Sequence, residues 1–346
     1  MHYFLTGHTG FKGAWLTLML TELGHEVSGF SLDPIEGCLY EEAELGPLFS
    51  HDLRGDIRDL DQLKAALHTC KPDVLVHLAA QPLVRESYRH PRLTMETNVI
   101  GTMNVLDAAS QCQQLQAQII VTTDKVYRNV HQQQGYRESD ALGGHDPYSA
   151  SKAMADILTQ SWMTSFAGAP TAIARAGNVI GGGDTGAERL VPDVMRALAA
   201  KQAPELRNPA SIRPWQHVLD CLSGYLALVP HLLSKADAED RFIGAWNFGP
   251  DPQSVASVSD VTAQLIKAWG STQQWKAAVG NEDDTFAESE ILVLDSDLAH
   301  QELGWDNRLD LAETVRWTAD WYKAVAEDTS ALEVSQAQVR EFLVRQ

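Results

Sequence analysis

The chain has 346 residues, with 46 Asp and Glu against 27 Lys and Arg, and carries a formal net charge of −19 at pH 7. A negative charge of this size argues against a nucleic acid or an anionic membrane as partner, and it requires any phosphate site to be built from locally clustered cations. The apolar runs are too short to span a bilayer, no secretory signal precedes the first strand, and the four cysteines lack metal or redox spacing, so we expect a cytoplasmic protein without a metal site.

The start of the chain predicts a strand, a glycine-rich turn, a helix and a second strand. Residues 3–5 form a short apolar strand, residues 14–22 are compatible with a helix, and residues 27–32 form the next strand. The turn at residues 6–13 spaces its glycines as GxxGxxG, in the context of a dinucleotide fingerprint. Such glycines allow close approach to a pyrophosphate, and the helix N-terminus offers unpaired N–H groups. The predicted cofactor-binding residues of the turn are Gly7, Thr9, Gly10, Phe11, Lys12 and Gly13.

One acidic residue follows the second strand, and it bears on whether NAD or NADP is bound. Asp33 would hold the adenosine ribose, an arrangement that favours NAD over NADP. No Arg or Lys directly follows this strand to accommodate the extra phosphate of NADP. Lys12, inside the turn, keeps NADP open as an alternative. We therefore expect NAD rather than NADP.

Two later segments are predicted to contact the same cofactor. Asp56 and Ile57 follow the expected third strand, where they would touch the adenine, cap the helix predicted at residues 60–67, or do both. Ala79 and Ala80 end the fourth strand and are small enough to let a cofactor lie against the backbone.

A tyrosine and a lysine form the predicted oxidation site. Residues 119–121 are an apolar run typical of a buried parallel strand, and Thr123 follows it at the sheet edge where ligands bind. Tyr148 and Lys152 are four residues apart, so on a helix they share one face. Because a nearby cation favours the phenolate, we expect Lys152 to make Tyr148 usable as a base near neutral pH.

The alternation of strands and helices predicts an α/β protein with a Rossmann-type, doubly wound parallel sheet and a smaller, irregular C-terminal domain. We assign residues 1–175, with roughly 211–240, to the dinucleotide-binding domain. Roughly 176–210 and 241–330 form the substrate domain, and 331–346 a C-terminal tail. An amphipathic pattern predicts a core-facing helix over residues 311–325.

Eight motifs resemble the extended short-chain dehydrogenase/reductases, and within them the CDP-glucose 4,6-dehydratase family. Lys125 is the discriminating residue, since the dTDP-glucose dehydratases carry Thr-Asp-Glu where the CDP-glucose enzymes have Asp-Lys. The chain reads Thr-Asp-Lys-Val-Tyr where that family often has Ser-Asp-Lys-Cys-Tyr, and Thr preserves the hydroxyl. The motifs are TGHTGFKG (6–13), HLAAQPLVRESYRHP (77–91), TDKVY (123–127), GYRESDALGGHDPYSASK (135–152), RAGNVIGGGD (175–184), RPWQHV (213–218), WNFGP (246–250) and LGW (303–305).

This resemblance implies a lyase that makes a 4-keto-6-deoxy sugar nucleotide by internal hydride transfer and loss of water. Tyr148, helped by Lys152, would take the proton of the sugar 4-hydroxyl, and Thr123 would hydrogen-bond the same oxygen. Asp124, kept protonated by burial, would give a proton to the departing 6-hydroxyl. Lys125 stands where the base for the proton at C5 is expected. It would act as that base only with a lowered pKa, and otherwise it polarises the sugar while another group takes the proton.

The resemblance also implies a nucleotide-sugar site. Asn178, Arg189 and Arg213 match positions that contact the diphosphate or nucleoside, Leu190 would line the base pocket, and Ser87 would lie near the sugar. Alternatives remain for the two arginines: an exposed helix position for Arg189, and an ion pair with Asp220 for Arg213. His217 is expected to be a packed core histidine.

The family usually dimerises through two helices of each subunit, which here would cover residues 98–112 and 148–166. A homodimer or a dimer of dimers is therefore expected. Two other functions stay open. The first is a 4,6-dehydratase or 4-epimerase that acts on another nucleotide sugar, although an epimerase needs no acid–base pair for elimination. The second is a catalytically silent cofactor-binding sensor, although loss of catalysis would normally remove Tyr148 or Lys152.

Overall fold

Seven parallel strands form the main sheet of the molecule. The structure is a computed structural model that describes residues 1–132, 134–234, 240–278 and 292–345. In these residues the strands are β1 (His2–Thr6), β2 (Glu26–Ser31), β3 (His51–Arg54), β4 (Val74–His77), β5 (Ala117–Val121), β6 (Thr171–Ala176), β7 (Asn178–Ile180), β8 (Glu205–Leu206), β9 (Ile212–His217), β10 (Gly244–Phe248), β11 (Val255–Ser257) and β12 (Lys276–Ala277). The main sheet has the order β3-β2-β1-β4-β5-β6-β10, which is the doubly wound, Rossmann-type order that the sequence predicts.

Helices cover both faces of this sheet. The helix predicted to begin at residue 98 is longer, since residues 91–110 form α5, a π-helical turn at Glu96–Ile100 and α6 without a break. Within the described part of the chain, no helix combines the length and apolar character that a bilayer crossing requires. The helices are α1 (Phe11–Glu22), α2 (Leu39–Glu42), α3 (Leu60–Cys70), α4 (Val84–Arg89), α5 (Pro91–Met95), α6 (Gly101–Ser110), α7 (Pro147–Ser165), α8 (Leu190–Ala199), α9 (Val218–Leu233), α10 (Val258–Trp269), α11 (Asp297–Leu303), α12 (Leu311–Ala326) and α13 (Ala331–Val344).

The main sheet is buried on both faces, and each face has its own core. Successive side chains of a strand point to opposite faces, so Phe4 and Leu5 of β1 enter different cores. Phe4 packs with residues of α3 and α6, whereas Leu5 packs with residues of α1 and α9, including Trp15. Both side chains are fully buried, as expected for a parallel sheet with helices on both sides.

A smaller group of elements lies beyond β6. Strands β7, β9 and β11 form a three-stranded sheet, and β8 pairs with β12. Helices α8, α10 and α12 contribute to a third apolar core, in which Leu198, Leu265 and Val315 are buried. The helix predicted over residues 311–325 is therefore confirmed as α12, with its apolar face toward cores.

The predicted division into two domains stays a prediction. Three elements pack in places that differ from those which this division assigns to them. Strand β10, which falls in the predicted substrate domain, pairs with β6 at the edge of the main sheet. Strand β9, assigned to the dinucleotide domain, lies in the small sheet. The predicted C-terminal tail forms α13, whose Val339 and Phe342 are fully buried. The two strands are placed by long-range pairing and α13 by long-range packing, neither of which local sequence patterns encode.

The fold brings three loops together at the carboxyl edge of the main sheet. The strand order reverses between β1 and β4, and ligands of open α/β sheets bind in the crevice at this point. The glycine-rich turn follows β1, residues 78–83 follow β4, and residues 122–126 follow β5. The predicted cofactor and catalytic residues therefore share one edge.

Candidate active site

The segment after β5 carries the first three predicted catalytic residues. Asp124–Val126 is a short 3-10 helix, and Thr123 stands at its N-terminal end with a hydroxyl that accepts from the Lys125 amide at 3.4 Å. Thr123 and Asp124 are buried, and the Thr123 hydroxyl donates to Asp124 Oδ1 at 2.9 Å. Lys125 is half-buried. The strand end thus presents a hydroxyl, a carboxyl group and an ammonium group from consecutive residues.

Helix α7 presents the tyrosine and the second lysine to the same place. Asp146 caps the helix by accepting from the Ser149 amide at 2.9 Å, and Pro147 occupies its first position. Tyr148 and Lys152 are both buried one helical turn apart. The Tyr148 phenol hydrogen-bonds the Thr123 side chain, and Lys152 Nζ donates to the Val121 carbonyl at 3.0 Å. The structure therefore brings the predicted oxidation residues together.

Burial is the main electrostatic influence on Tyr148 and Lys152. Burial raises the pKa of Tyr148 to about 12, and the hydrogen bond to Thr123 and the charge of Arg189 oppose this rise. Burial, with the charge of Lys12, lowers the pKa of Lys152 to about 8. Burial thus disfavours the charged forms of both Tyr148 and Lys152, and the activation of Tyr148 by Lys152 stays a prediction.

Burial has the expected effect on Asp124. It raises the pKa of this carboxyl, although the charge of Lys125, the hydrogen bonds of Thr123 and the Lys125 amide, and the charge of Arg213 oppose the rise. A Cβ atom at Gly177 would lie 3.1 Å from Asp124 Oδ2, so a glycine leaves room for the carboxyl. The raised pKa favours the protonated carboxyl, which is the form that can serve as a proton donor.

The glycine-rich turn fits a dinucleotide. Gly7 adopts the left-handed region with a φ of 76°, and a Cβ atom there would lie 2.7 Å from the Ala79 amide nitrogen. A Cβ atom at Gly13 would lie 2.3 Å from the Gly7 carbonyl, so α1 packs directly on the turn. Gly10 is the N-cap of α1 and provides no side-chain cap. The first N–H groups of α1 therefore have no side-chain cap, as a pyrophosphate site requires.

The other predicted residues of this turn are divided between the cofactor cleft and the core. The Thr9 hydroxyl hydrogen-bonds the Ser31 hydroxyl at 2.7 Å, which joins the turn to the end of β2. Phe11 is half-buried at the start of α1, near Gly181. Lys12 Nζ donates to the Tyr225 hydroxyl of α9 at 2.9 Å, and its charge reaches Lys152. Lys12 thus points toward the catalytic residues and away from the ribose end, where NADP would need it.

The ribose end contains an arginine that sequence reasoning missed. Asp33 is exposed, and its carboxylate lies 3.7 Å from Arg54 Nε. Arg54 ends β3, and the register of the sheet sets it beside Ser31 at the end of β2. Its guanidinium also donates to Asp52 and, at 2.9 Å, to Tyr40. The only sequence signal was the position of Arg54 at the end of a third parallel strand.

Asp56 and Ile57 occupy the predicted position after β3, and the Asp56 carboxylate is bonded to Arg58. The hydrogen bond from Arg58 is the main cause that lowers the pKa of Asp56, and Arg58 Nε lies 2.9 Å from Oδ2. Ile57 is buried under Gly101. Asp59, rather than Asp56, caps α3 by accepting from the Gln62 amide.

The segment after β4 holds a residue with a task that the sequence did not predict. Ala79 and Ala80 are half-buried beside the glycine turn, as a cofactor-lining role needs. Ser87 is fully buried; its hydroxyl donates to the Val84 carbonyl and accepts from the Tyr148 amide at 3.1 Å. Ser87 therefore anchors the start of α7, and its contact with a sugar stays a prediction.

Across the cleft lie the residues predicted to bind the substrate nucleotide. Asn178 begins β7 beside Trp215 of β9. Arg189 is the N-cap of α8, neither exposed nor inside the helix, and its guanidinium donates to both carboxylate oxygens of Asp184 at 2.9 and 3.0 Å. Leu190 packs partly buried at the start of α8.

Arg213 and His217 belong to β9. A Cβ atom at Gly177 would lie 3.1 Å from Asp124 Oδ2 and 3.8 Å from Cγ of Pro214, so β9 passes close to Asp124, and the charge of Arg213 opposes the rise in the pKa of Asp124. The carboxylate of Asp220, the alternative partner of Arg213, instead accepts from the Arg308 amide at 2.7 Å. His217 is fully buried between Trp15 and Trp317, with a pKa lowered to about 3 by burial, which confirms the packed histidine.

Comparisons with known proteins agree with this geometry. The family described as GDP-mannose 4,6 dehydratase matches residues 4–318. The chain is 39% identical to a CDP-glucose 4,6-dehydratase of Salmonella typhimurium, over 98% of this chain and 95% of that protein. It is 28% identical to a dTDP-glucose 4,6-dehydratase of Shigella flexneri, over 78% of this chain and 77% of that protein. The same fold is found in the crystal structure of a dTDP-glucose 4,6-dehydratase from Streptomyces venezuelae with NAD bound. The TM-score is 0.80 at 24% sequence identity, and the match covers 96% of this chain and 100% of that chain.

Proposed function

The chain belongs to the GDP-mannose 4,6-dehydratase family, and from that premise we propose that it converts CDP-glucose into CDP-4-dehydro-6-deoxyglucose and water. One observation carries the proposal: Asp124, buried and with a raised pKa, lies beside Lys125 and within one hydrogen bond of the Thr123 hydroxyl. Thr123, Tyr148 and Lys152 suffice to oxidise a sugar hydroxyl. The added acid–base pair supplies the elimination that separates a dehydratase from an epimerase.

The first step needs a base at the sugar 4-hydroxyl. Tyr148 takes this proton, and Thr123, already hydrogen-bonded to the phenol, holds the same oxygen. With a pKa raised to about 12, the phenol is protonated at rest, so its activation needs cationic charge at the moment of reaction. Lys152 on the same helix face and Arg189 across the cleft supply part of that charge.

The cofactor is NAD. When bound, NAD would supply a reversible hydride acceptor for the sugar, so none of it would be consumed overall. The close approach of Gly7 to Ala79 and the open first turn of α1 support the pyrophosphate position. Arg54 is surrounded by acids at the ribose end, since Asp33 lies 3.7 Å from its Nε and Asp52 accepts from its guanidinium, and this acidic environment favours NAD over the extra phosphate of NADP.

The elimination step uses the segment after β5. Asp124 donates a proton to the departing 6-hydroxyl, since burial raises the pKa of this carboxyl and so favours its protonated form. The proton at C5 leaves to Lys125, or Lys125 polarises the sugar while another group takes this proton, and C5 is protonated again when the hydride reaches C6. Lys125 is half-buried at the same turn, so either role is within its reach.

The cytidine diphosphate lies across the cleft in this proposal. Arg189 is held in place by Asp184, and Arg213 reaches the active site, so the two guanidinium groups supply the local cations that an acidic chain needs. Asn178 completes the polar contacts, and Leu190 lines the base pocket.

We also propose a cytoplasmic homodimer, or a dimer of dimers. Exposed apolar side chains on the helical segment 91–110 and on α7 support a shared four-helix interface; they include Ile100, Met103, Met154 and Ile157, each between 37% and 52% exposed. The four cysteines are free thiols, as in a reducing compartment.

Incubation of the purified protein with NAD and with either CDP-glucose or dTDP-glucose tests the proposal. Formation of the 4-keto product is followed by its absorbance in alkali and by mass spectrometry. We expect turnover of CDP-glucose and little or none of dTDP-glucose. Turnover of dTDP-glucose alone would contradict the nucleotide assignment, and turnover of neither sugar would contradict the activity itself.

A further inference from the structure

We propose that the buried ion pair between Asp156 and Arg175 is a positioning element, which holds the elimination residues in register with the oxidation residues. The proposal rests on the function proposed above, and it concerns two side chains that do not touch the substrate. Asp156 lies on α7 and Arg175 on β6, and both are fully buried.

The pair has the geometry of a rigid fork. Arg175 Nε donates to Asp156 Oδ2 and Arg175 Nη2 to Asp156 Oδ1, each at 2.8 Å. The same carboxylate accepts from the Thr122 hydroxyl at 3.1 Å and from the side-chain amide of Gln160 at 2.7 Å. Two parallel charge-assisted bonds fix both orientation and distance.

The fork reaches both ends of the segment that carries Thr123, Asp124 and Lys125. Thr122, which directly precedes this segment, binds Asp156. Tyr127, which directly follows the 3-10 helix, accepts from Arg175 Nη1 at 2.8 Å. The segment is therefore held at its start by one member of the pair and at its end by the other.

The same pair fixes the helix that carries the oxidation residues. Asp156 lies one helical turn after Lys152 and two turns after Tyr148 on α7. A shift of α7 along its axis would break the bonds to Arg175 and Thr122 together. The contacts thus set the distance between Tyr148 and Asp124, which in the proposed reaction act on the 4-hydroxyl and the 6-hydroxyl of one sugar.

Stability alone is a weak reason for such a pair. Burying two charges costs free energy that their attraction only partly restores, and apolar residues of similar size are often as stable or more so. Positioning gives a reason that stability does not. Tyr127 continues the network to Asn247 of β10, with an oxygen–oxygen distance of 2.7 Å, so the pair is also joined to the edge of the main sheet.

The charge of Asp156 also reaches Lys152. Burial and the charge of Lys12 lower the pKa of Lys152 to about 8, and Asp156 is the group that raises it. His77, which faces Lys152 from β4, is kept neutral by burial with a pKa lowered to about 3. Removal of the Asp156 charge therefore lowers the pKa of Lys152 further, and the ammonium is lost at a lower pH.

Two variants test the proposal: Asp156→Asn, and Asp156→Asn combined with Arg175→Met. The double variant leaves no unpaired buried charge and is used if the single variant does not fold. We expect kcat for CDP-glucose to fall about tenfold or more at pH about 8.5, with a smaller loss at pH about 6.5 and little change in KM. The alkaline limb of the pH profile should move to lower pH. Arg175→Lys, which retains the pair of charges, should keep the limb in place.

The control is Glu22→Gln, which breaks a two-bond carboxylate–arginine pair with Arg340 at the surface. A pH limb that stays in place in folded Asp156 variants, or moves equally in the control, would overturn the proposal. A second measurement needs no substrate: the titration midpoint of the Lys152 ε-carbon signal in lysine-labelled protein, assigned with Lys152→Arg. This titration midpoint should fall in the Asp156 variants even if CDP-glucose is not the substrate. An unchanged midpoint would contradict the inference.

Discussion

Burial acts in opposite directions on the acids and the ammonium group of the active site. It raises the pKa of Asp124 and lowers that of Lys152 to about 8, because a desolvated site disfavours the charged form of each. The carboxyl group can then donate a proton, while the lysine remains charged near neutral pH and close to losing its proton. One physical cause therefore prepares the residues for two different steps.

Asp124→Asn should separate the two halves of the reaction. The amide keeps the shape of the carboxyl but has no acidic proton, so elimination should slow by about two to three orders of magnitude while C4 oxidation continues. Loss of deuterium from substrate labelled at C4, and the absorbance of NADH on mixing, measure the oxidation directly. The exposed Asp61→Asn on α3 serves as the control. If C4 oxidation also disappeared while the thermal unfolding curve stayed unchanged, the acid role of Asp124 would be wrong.

Sequence spacing finds those site residues whose relation is local. Tyr148 and Lys152 share a helix face by their spacing, and Thr123 and Asp124 follow a recognisable strand. Arg54 escapes such reasoning, because only the register between β2 and β3 sets it beside Ser31. Ser87 escapes for a related reason: its hydroxyl caps an element that comes about sixty residues later in the chain.

Two helical elements carry apolar side chains that the monomer leaves in solvent. Leu106 of α6 is fully buried, whereas Met103, only three residues earlier, is 37% exposed. Met154 and Ile157 of α7 are 40% and 52% exposed. The sequence pattern alone could not separate an interface from an ordinary core, since both need apolar residues at helical spacing. Their exposure in the folded chain supports the proposed interface.

Ile157→Arg should disrupt the proposed dimer without unfolding the subunit. A charged side chain at the centre of a four-helix interface loses apolar contact and buries a charge, so the dissociation constant should rise at least about tenfold. Sedimentation velocity over a range of protein concentrations measures the change. Leu298→Arg on α11, at a position 37% exposed and remote from these helices, is the matched control. An unchanged assembly in Ile157→Arg would place the interface elsewhere.

At the scale of the whole molecule, the sequence predicts the main sheet better than it predicts how the elements after β6 pack against that sheet. The βαβ alternation gives the order of β1 to β6, because right-handed crossovers leave few alternatives. The return of the chain to the sheet edge at β10 is not encoded locally, since Gly244–Phe248 is simply a short apolar strand. Its place is decided by pairing with β6 and by burial of Trp246 in the core that also holds α9.

Asp220 joins these parts of the molecule and should make its stability depend on pH. The carboxylate lies in the first turn of α9 and accepts from the Arg308 amide at 2.7 Å, while Trp305 Nε1 donates to the Asp220 carbonyl at 3.3 Å. Burial raises the pKa of Asp220 to about 7 from an ordinary value of 3.8. Between these values the folded protein binds one proton more than the unfolded chain, so stability from this group falls as the pH rises toward about 7 and levels off above it.

Asp220→Asn removes this titration while keeping an oxygen that can accept from the Arg308 amide. The melting temperature of the variant relative to the native protein should therefore rise between pH about 5 and pH about 8, because only the native protein must bury a carboxylate at the higher pH. Thermal unfolding followed by circular dichroism at several pH values measures the difference. Asp320→Asn, at a side chain 52% exposed on α12, should show no such trend. A difference between Asp220→Asn and the native protein that stayed constant over this range would mean that Asp220 is ionised in the folded state throughout, and that the link between α9 and residues 305–309 is a permanent charged contact.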